Sequence, residues 1–234
     1  MSRLSTRKRP PRQLGLVIRT WGGERPRSGR KPARPGAAPH TPRPALASRF
    51  PVHVTLKVDP SLPDLRESPF CNRLEDCLRE GKERQGFRLV HYSIQSHHLH
   101  FIVEAPNAGT LARGMQGLAI RMAKRLNRVL GRKGRVFVDR YFGRILKTPR
   151  QTRVCLGYVL NNVRRHAAQR GERLARNSVD DLSSGSWFDG WAERRTRPPP
   201  ERERRVARPR TWLLSVGWRR HGLISINAVP GELK

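Results

Sequence analysis

The sequence predicts an α+β fold: an antiparallel sheet of the split βαβ kind, with two helices on one face and a third helix on the other. Three observations predict it. Val52, Val54, Leu56 and Val58 alternate with His53, Thr55 and Lys57, the period-two signature of a half-buried strand. Leu111, Met115, Leu118, Met122, Leu126 and Val129 recur at steps of three and four, the signature of an amphipathic helix. The elements then follow in the order strand, helix, strand, strand, helix, strand, helix, whose first six match a ferredoxin-like antiparallel sheet.

Taken in order, residues 1–50 come first. They are rich in Pro, Gly, Arg and Lys with a single acid, Glu24, and lack any periodicity, so they read as a disordered basic arm. Order begins at Pro51 with the alternating strand. Ser68-Pro69 reads as N-cap and first residue of a helix carrying Phe70, Leu74, Cys77 and Leu78, stopped by Gly81. Residues 87–95 and 98–104 read as two tightly joined strands. Thr110 is expected to cap the next helix, which Gly131 and Gly134 end. Residues 136–146 read as extended, and Thr148-Pro149 opens a third helix running to about Gln169. Its one obvious place to pack is the free face of the sheet. The expected organisation is an arm over 1–50, a domain over 51–170 and an irregular extension over 171–234. Trp212, Leu213, Leu214 and Trp218 of that extension dock either on the domain or on a partner.

Charge narrows the function classes. The 234 residues hold 49 Lys plus Arg against 18 Asp plus Glu, a net charge of +31, and only 36% are apolar. Such a charge calls for a polyanionic partner. Nucleic acid fits better than a membrane, because no run approaches the ~20 apolar residues of a span. No basic amphipathic segment carries an aromatic insertion face either. Leu16-Val17-Ile18 is too short an apolar stretch for a signal peptide. Cys71, Cys77 and Cys155 form no Cys-x-x-Cys pair, which argues against a structural zinc site or disulfide scaffold and for a reduced, cytoplasmic setting near the nucleoid. Within the arm, Arg27-Ser28-Gly29-Arg30-Lys31-Pro32 resembles an AT-hook. It reads either as a minor-groove grip or as a solvated tail making phosphate contacts. Arg121, Lys124, Arg125 and Arg128 on the second helix are further candidate DNA contacts, together with Arg27, Arg30 and Lys31.

The chemistry-bearing segment is Ser96-His97-His98-Leu99-His100. On a strand, residues i and i+2 share a face, so His98 and His100 point one way and Leu99 and Phe101 the other. Two imidazoles side by side are either a pair of preset metal ligands or a His-rich strand end. Histidine-triad hydrolases need a third histidine where Ile102 stands, and two-histidine phosphoesterases need a second His-x-Ser/Thr copy that is absent. Tyr158 and Asn162 lie one turn apart on the third helix. Tyr158 reads either as an aromatic packed against the sheet or as a group reaching a site on it. Asn162 reads either as a surface amide or as a ligand.

His-Leu-His on a middle strand followed by a Tyr-x-x-x-Asn helix resembles the HUH nucleases. Among them it resembles the single-tyrosine transposases of the insertion-sequence 200-like superfamily, and most of all the REP-associated tyrosine transposases of bacteria. The arm's Gly-Arg-Lys-Pro, the strand His53-Val54-Thr55-Leu56, the block Val138-Asp139-Arg140-Tyr141-Phe142 and Pro209-Arg210-Thr211-Trp212 add to the resemblance. Two departures are visible: His97 stands where the family usually has Asn, and Asn162 runs into Val163 without the family's intervening Pro. The resemblance implies an HUH nuclease fold with a catalytic third helix. It implies Mg²⁺ or Mn²⁺ held by His98, His100 and Asn162. It also implies Tyr158 as the nucleophile that cleaves and rejoins single-stranded or hairpin DNA through a 5′-phosphotyrosine, acting as a monomer or homodimer. Tyr141 is a competing nucleophile, and His166 is either an addition to the site or a solvated helix-end residue. Two other readings use the same charge and fold: a replication initiator or relaxase, and a noncatalytic nucleic-acid-binding protein, which needs none of the four site residues together.

Overall fold

The computed structural model describes residues 44–193 and 199–231. Residues 1–43 of the expected arm, with Arg27, Arg30 and Lys31, lie outside the described residues; its last residues do not read as an arm, since Leu46 is buried in the core cluster and Phe50 packs against it. The ordered elements are β1 (Val52–Lys57), α1 (Phe70–Gly81), β2 (Glu83–Arg84), β3 (Phe87–Ile94), β4 (His98–Glu104), α2 (Ala108–Val129), β5 (Phe142–Ile145), α3 (Pro149–Leu160) and α4 (Asn162–Gln169), followed by a short α5 (Trp212–Ser215) and three 3₁₀ turns. The sheet order is β2-β3-β4-β1-β5, antiparallel throughout. Leaving aside the two-residue β2, this is the split βαβ order that the sequence predicts.

Alternation on β1 and β4 gives the sheet two different faces. Val52, Val54, Leu56, Leu99, Phe101 and Val103 join one core cluster with Leu74, Cys77 and Leu78 of α1 and Leu111, Met115, Leu118 and Met122 of α2. α2 approaches closely at Gly114, where a Cβ would overlap the Phe87 ring. On the opposite face, Ile102 and Leu146 meet Cys155, Leu156, Val159 and Leu160 of α3, as expected for the third helix.

Three local expectations change. Asn107, not Thr110, caps α2: its side chain accepts a hydrogen bond from the Thr110 amide. α1 begins at Phe70 with Pro69 as its N-cap, one residue later than Ser68-Pro69 suggests. The third helix is also two helices. Asn161 interrupts it with φ −106° and ψ 18°, and its side chain donates 2.9 Å to the Ser225 carbonyl. A partner 64 residues downstream leaves no trace in local sequence pattern.

The C-terminal segment docks on the domain itself. Phe188, Trp191, Leu214, Trp218, Ile224 and Ile226 complete the second cluster, which is why β3 is buried on both faces. Buried Glu104, at the end of β4, holds this segment in place. Its carboxylate accepts from the Arg210 and Thr211 amides, the latter at 2.8 Å, from the Thr211 hydroxyl at 2.8 Å, and from Arg88 Nε at 3.3 Å. Arg66 adds a second tie through its 2.7 Å ion pair with Asp180. Removing one partner from such a buried charged network costs about 3 kcal/mol or more. Glu104→Ala is therefore expected to lower the unfolding free energy from denaturant titration by that amount and to open residues 205–216 to proteolysis. An unfolding free energy within about 0.5 kcal/mol of wild type would contradict this anchoring role.

Candidate active site

The polar phase of the second face converges on one cleft. Antiparallel register sets Thr55 opposite His100, Lys57 opposite His98, and Phe142 opposite Thr55. Directly opposed residues project from the same face. His53, Thr55, Lys57, His98, His100, Phe142 and Arg144 thus share the α3 side of the sheet, beyond the apolar patch that α3 and the C-terminal segment cover. They line an open cleft of about 750 Å³ together with Tyr158 and Arg165.

His100 sits at its floor, 3% exposed. Its Nδ1 lies 3.2 Å from His53 Nε2 and 3.2 Å from Thr55 Oγ1. Its Nε2 is buried with no hydrogen-bond partner among the described residues. The His53 and His100 rings stack with centroids 5.2 Å apart, and His98 meets His100 edge-on at 4.8 Å. From α3, half-buried Tyr158 sets its ring edge-on to His100 at 5.1 Å and to His53 at 5.9 Å. The Arg165 guanidinium of α4 lies 5.4 Å from the Tyr158 ring centre. His166 of α4 faces His98 with centroids 5.5 Å apart, and its Nε2 is buried with no hydrogen-bond partner among the described residues. It is thus drawn into the cluster rather than left as a solvated helix-end residue. Asn162 is fully buried, and neither its amide oxygen nor its nitrogen has a hydrogen-bond partner among the described residues.

Burial holds these imidazoles neutral. It pushes His53 down to about 4, aided by Arg144, and His98 down to about 4, aided by His166 and Lys57. His100 falls well below the usual histidine range for the same reason, reinforced by His53 and His98. Neutral rings keep a lone pair available to a cation. With Nδ1–H of His100 directed at His53 Nε2 or Thr55 Oγ1, that lone pair lies on the unpartnered Nε2.

The profile of the family described as "Transposase IS200 like" matches residues 52–162. That span runs from β1 to the first residue of α4 and contains the His98–His100 pair and Tyr158. These residues belong to the IS200-like transposase family. No curated protein matches the chain. Among solved structures, a REP-associated tyrosine transposase bound to a REP hairpin overlaps 57% of this chain and 75% of its own at 12% identity, with a TM-score of 0.45. A Deinococcus radiodurans transposase overlaps 42% and 78% at 16% identity, with a TM-score of 0.36. A bacterial tRNA(His) guanylyltransferase-like protein in complex with ATP overlaps 55% and 62% at 14% identity, with a TM-score of 0.35. Overlaps this loose carry no weight in assigning function.

Within the transposase domain, the three tyrosines have different surroundings. Tyr92 is buried and donates to Glu75 at 3.0 Å. Tyr141 lies in the core cluster under α1 and α2. Tyr158 alone borders the histidine cleft. The α2 candidates are remote from it. Arg121, Lys124, Arg125 and Arg128 belong to the helical layer on the opposite face, where Glu80 already engages Arg125 at 2.6 Å and Arg121 at 3.8 Å. Sequence reading missed Lys57, Arg144 and Arg165 as cleft cations, and His53 and Thr55 as His100 partners. The signal was present in the polar phase of β1, but using it requires knowing that β1 neighbours β4.

Among the described residues, no three His, Cys, Asp or Glu side chains form a ready metal site. The buried His100 Nε2, unpartnered among the described residues and beside the His98 ring, nonetheless fits a divalent cation, whereas Asn162, whose amide is likewise buried and unpartnered there, is not among the residues that line the cleft. No helix among the described residues is long and apolar enough to cross a membrane. All three cysteines are free and buried, and burial raises the Cys77 thiol to about 11 and Cys155 further.

The depressed histidines make stability pH-dependent. In the unfolded chain they protonate near 6.5, whereas in the fold His53 and His98 resist protonation until about 4 and buried His91 until about 3. Their contribution is intact above about pH 6.5 and is lost as pH falls toward 4. His53 and His91 are each expected to cost about 2 kcal/mol at pH 5 relative to pH 7.5. Urea titrations at the two pH values check this, and equal midpoints would contradict it.

Proposed function

We propose that this protein is a metal-dependent single-stranded DNA transposase and endonuclease. In this reading it has the HUH nuclease arrangement, with Tyr158 as nucleophile and α3 as the catalytic helix. The observation that carries the reading is the edge-on contact of Tyr158 with His100 at 5.1 Å, inside a cleft that neither other tyrosine borders. Membership of an IS200-like transposase family supports the reaction class. The net charge of +31 and the cleft cations Lys57, Arg144 and Arg165 support a nucleic-acid substrate.

His98, His100 and Asn162 would hold Mg²⁺ or Mn²⁺, with Thr55 and His53 fixing the ring of His100. When bound, the cation supplies positive charge that polarises the scissile phosphate. Lys57, Arg144 and Arg165 bind the flanking phosphates and hold the strand against the sheet. The Tyr158 phenolic oxygen loses its proton and attacks phosphorus. A tyrosine–phosphorus bond forms, the bond from phosphorus to the 3′-oxygen breaks, and that oxygen takes up a proton. The products are a 5′-phosphotyrosine and a free 3′-hydroxyl. One phosphodiester replaces another, so the step reverses and strands rejoin without ATP. Hairpin DNA is the expected substrate form. The domain of residues 51–170 would carry the chemistry, the arm would add affinity, and the extension over 171–234 would brace the fold.

Tyr158→Phe keeps the ring that packs beside the second cluster and removes only the phenolic oxygen. It is expected to reduce cleavage of a labelled single-stranded hairpin by about 10³-fold or more and to abolish the denaturant-resistant adduct. DNA binding is retained. His98→Ala and His100→Ala, or chelation, are expected to stop cleavage without unfolding the chain, while Tyr141→Phe still forms the adduct. A denaturing gel reads all of these. Full activity of Tyr158→Phe, or in excess chelator, would contradict the proposal.

A further inference from the structure

The cleft holds a side chain that the phosphotyrosine chemistry does not use. Phe142 is 65% exposed on β5, an edge strand, and lines the same cleft as His98, His100 and Tyr158. Exposing a large ring on a sheet edge carries an aggregation hazard that proteins normally blunt with charge. The register makes its direction informative. Phe142 lies opposite Thr55 and Thr55 opposite His100, so the three side chains form one row on one face. Two strand spacings separate Phe142 from His100, about 10 Å. Lys57 and Arg144 of the same face flank that row. An exposed ring between cations, in the same row as the proposed phosphate-reacting cluster, is the combination that grips unpaired nucleotides: cations for the backbone and a π-face for the base.

We propose that Phe142 is a stacking platform for a nucleobase next to the scissile phosphate. This rests on the DNA-cleaving reading above and adds to it a reason for selecting unpaired DNA. A base in a duplex has both faces occupied by its neighbours, whereas a nucleotide drawn into this cleft can lay one face on the ring. Stacking serves any of the four bases, so Phe142 sets strandedness rather than sequence.

Binding in the absence of metal, where no cleavage occurs, tests the idea. The probes are a labelled thymidylate strand of about 12 nucleotides, an abasic deoxyribose-phosphate strand of equal length, and a duplex. Loss of one stacked base is expected to weaken thymidylate binding of Phe142→Ala by about 5- to 100-fold. The abasic strand and the duplex bind Phe142→Ala as they bind wild type, and Phe142→Trp restores thymidylate affinity. Because the ring is exposed, the thermal midpoint of Phe142→Ala stays near that of wild type. Unchanged thymidylate binding, or an equal loss on the abasic strand, overturns the platform. A change in sedimentation in Phe142→Ala also overturns it, assigning the edge to contact with a second copy of the chain. Adduct formation by wild type is scored separately. Its absence refutes the cleavage reading, whereas its presence with indifferent Phe142→Ala binding refutes only the platform.

Discussion

Thr55 stands opposite His100 and Lys57 opposite His98, and the cleft depends on that pairing of β1 with β4. Strand side chains alternate, so a slip of one residue would turn His53, Thr55 and Lys57 into the α1–α2 core and leave Val52, Val54 and Leu56 in the cleft. The apolar phase of both strands prevents the slip. Val54, Leu56, Leu99 and Phe101 are essentially fully buried, and exposing any one of them costs about 1.5–3 kcal/mol. The hydrophobic core under α1 and α2 thereby fixes the polar geometry on the other side of the sheet.

That other side is divided. Toward Leu146, just past β5, and Ile102 of β4 it is apolar, and α3 covers it together with Phe188, Trp191, Leu214 and Trp218 from the C-terminal segment. Toward His98 and Phe142 it is polar and open. Tyr158 stands on the boundary, its ring partly packed against the second cluster and its edge turned to His100. The boundary position reconciles the two readings of this residue: the packing that orients the ring is what presents it to the histidines. Glu104, by clamping residues 210 and 211, keeps the apolar half covered and so keeps α3 where Tyr158 can reach the cleft.

Much of this was legible because period and spacing are local. The alternation of β1, the shared face of His98 and His100, the stripe of α2 and the cap at Thr148 all follow from neighbours within a few residues. What escaped depends on contacts far apart in sequence. The break between α3 and α4 is tied to Ser225 through Asn161. The partnership of His53 and Thr55 with His100 spans about 45 residues. The basic residues of α2 lie in the helical layer that the sequence predicts on the face away from the histidines, so any contact they make with DNA is outside the cleft. The C-terminal segment, built from turns and short 3₁₀ pieces, has no period to read, yet its aromatic residues complete the second core.

The most direct measurement is the site of covalent attachment. The three tyrosines fall on three different tryptic peptides, with Tyr158 on residues 154–164 and Tyr141 on residues 141–144. Wild-type protein is incubated with a single-stranded hairpin and Mn²⁺, the adduct is isolated under denaturing conditions, and the digested peptides are identified by mass spectrometry. The account predicts the nucleotide-bearing mass on residues 154–164, assigned to Tyr158. Attachment at Tyr92 or Tyr141, or strand cleavage with no covalent protein–DNA species at all, would contradict it.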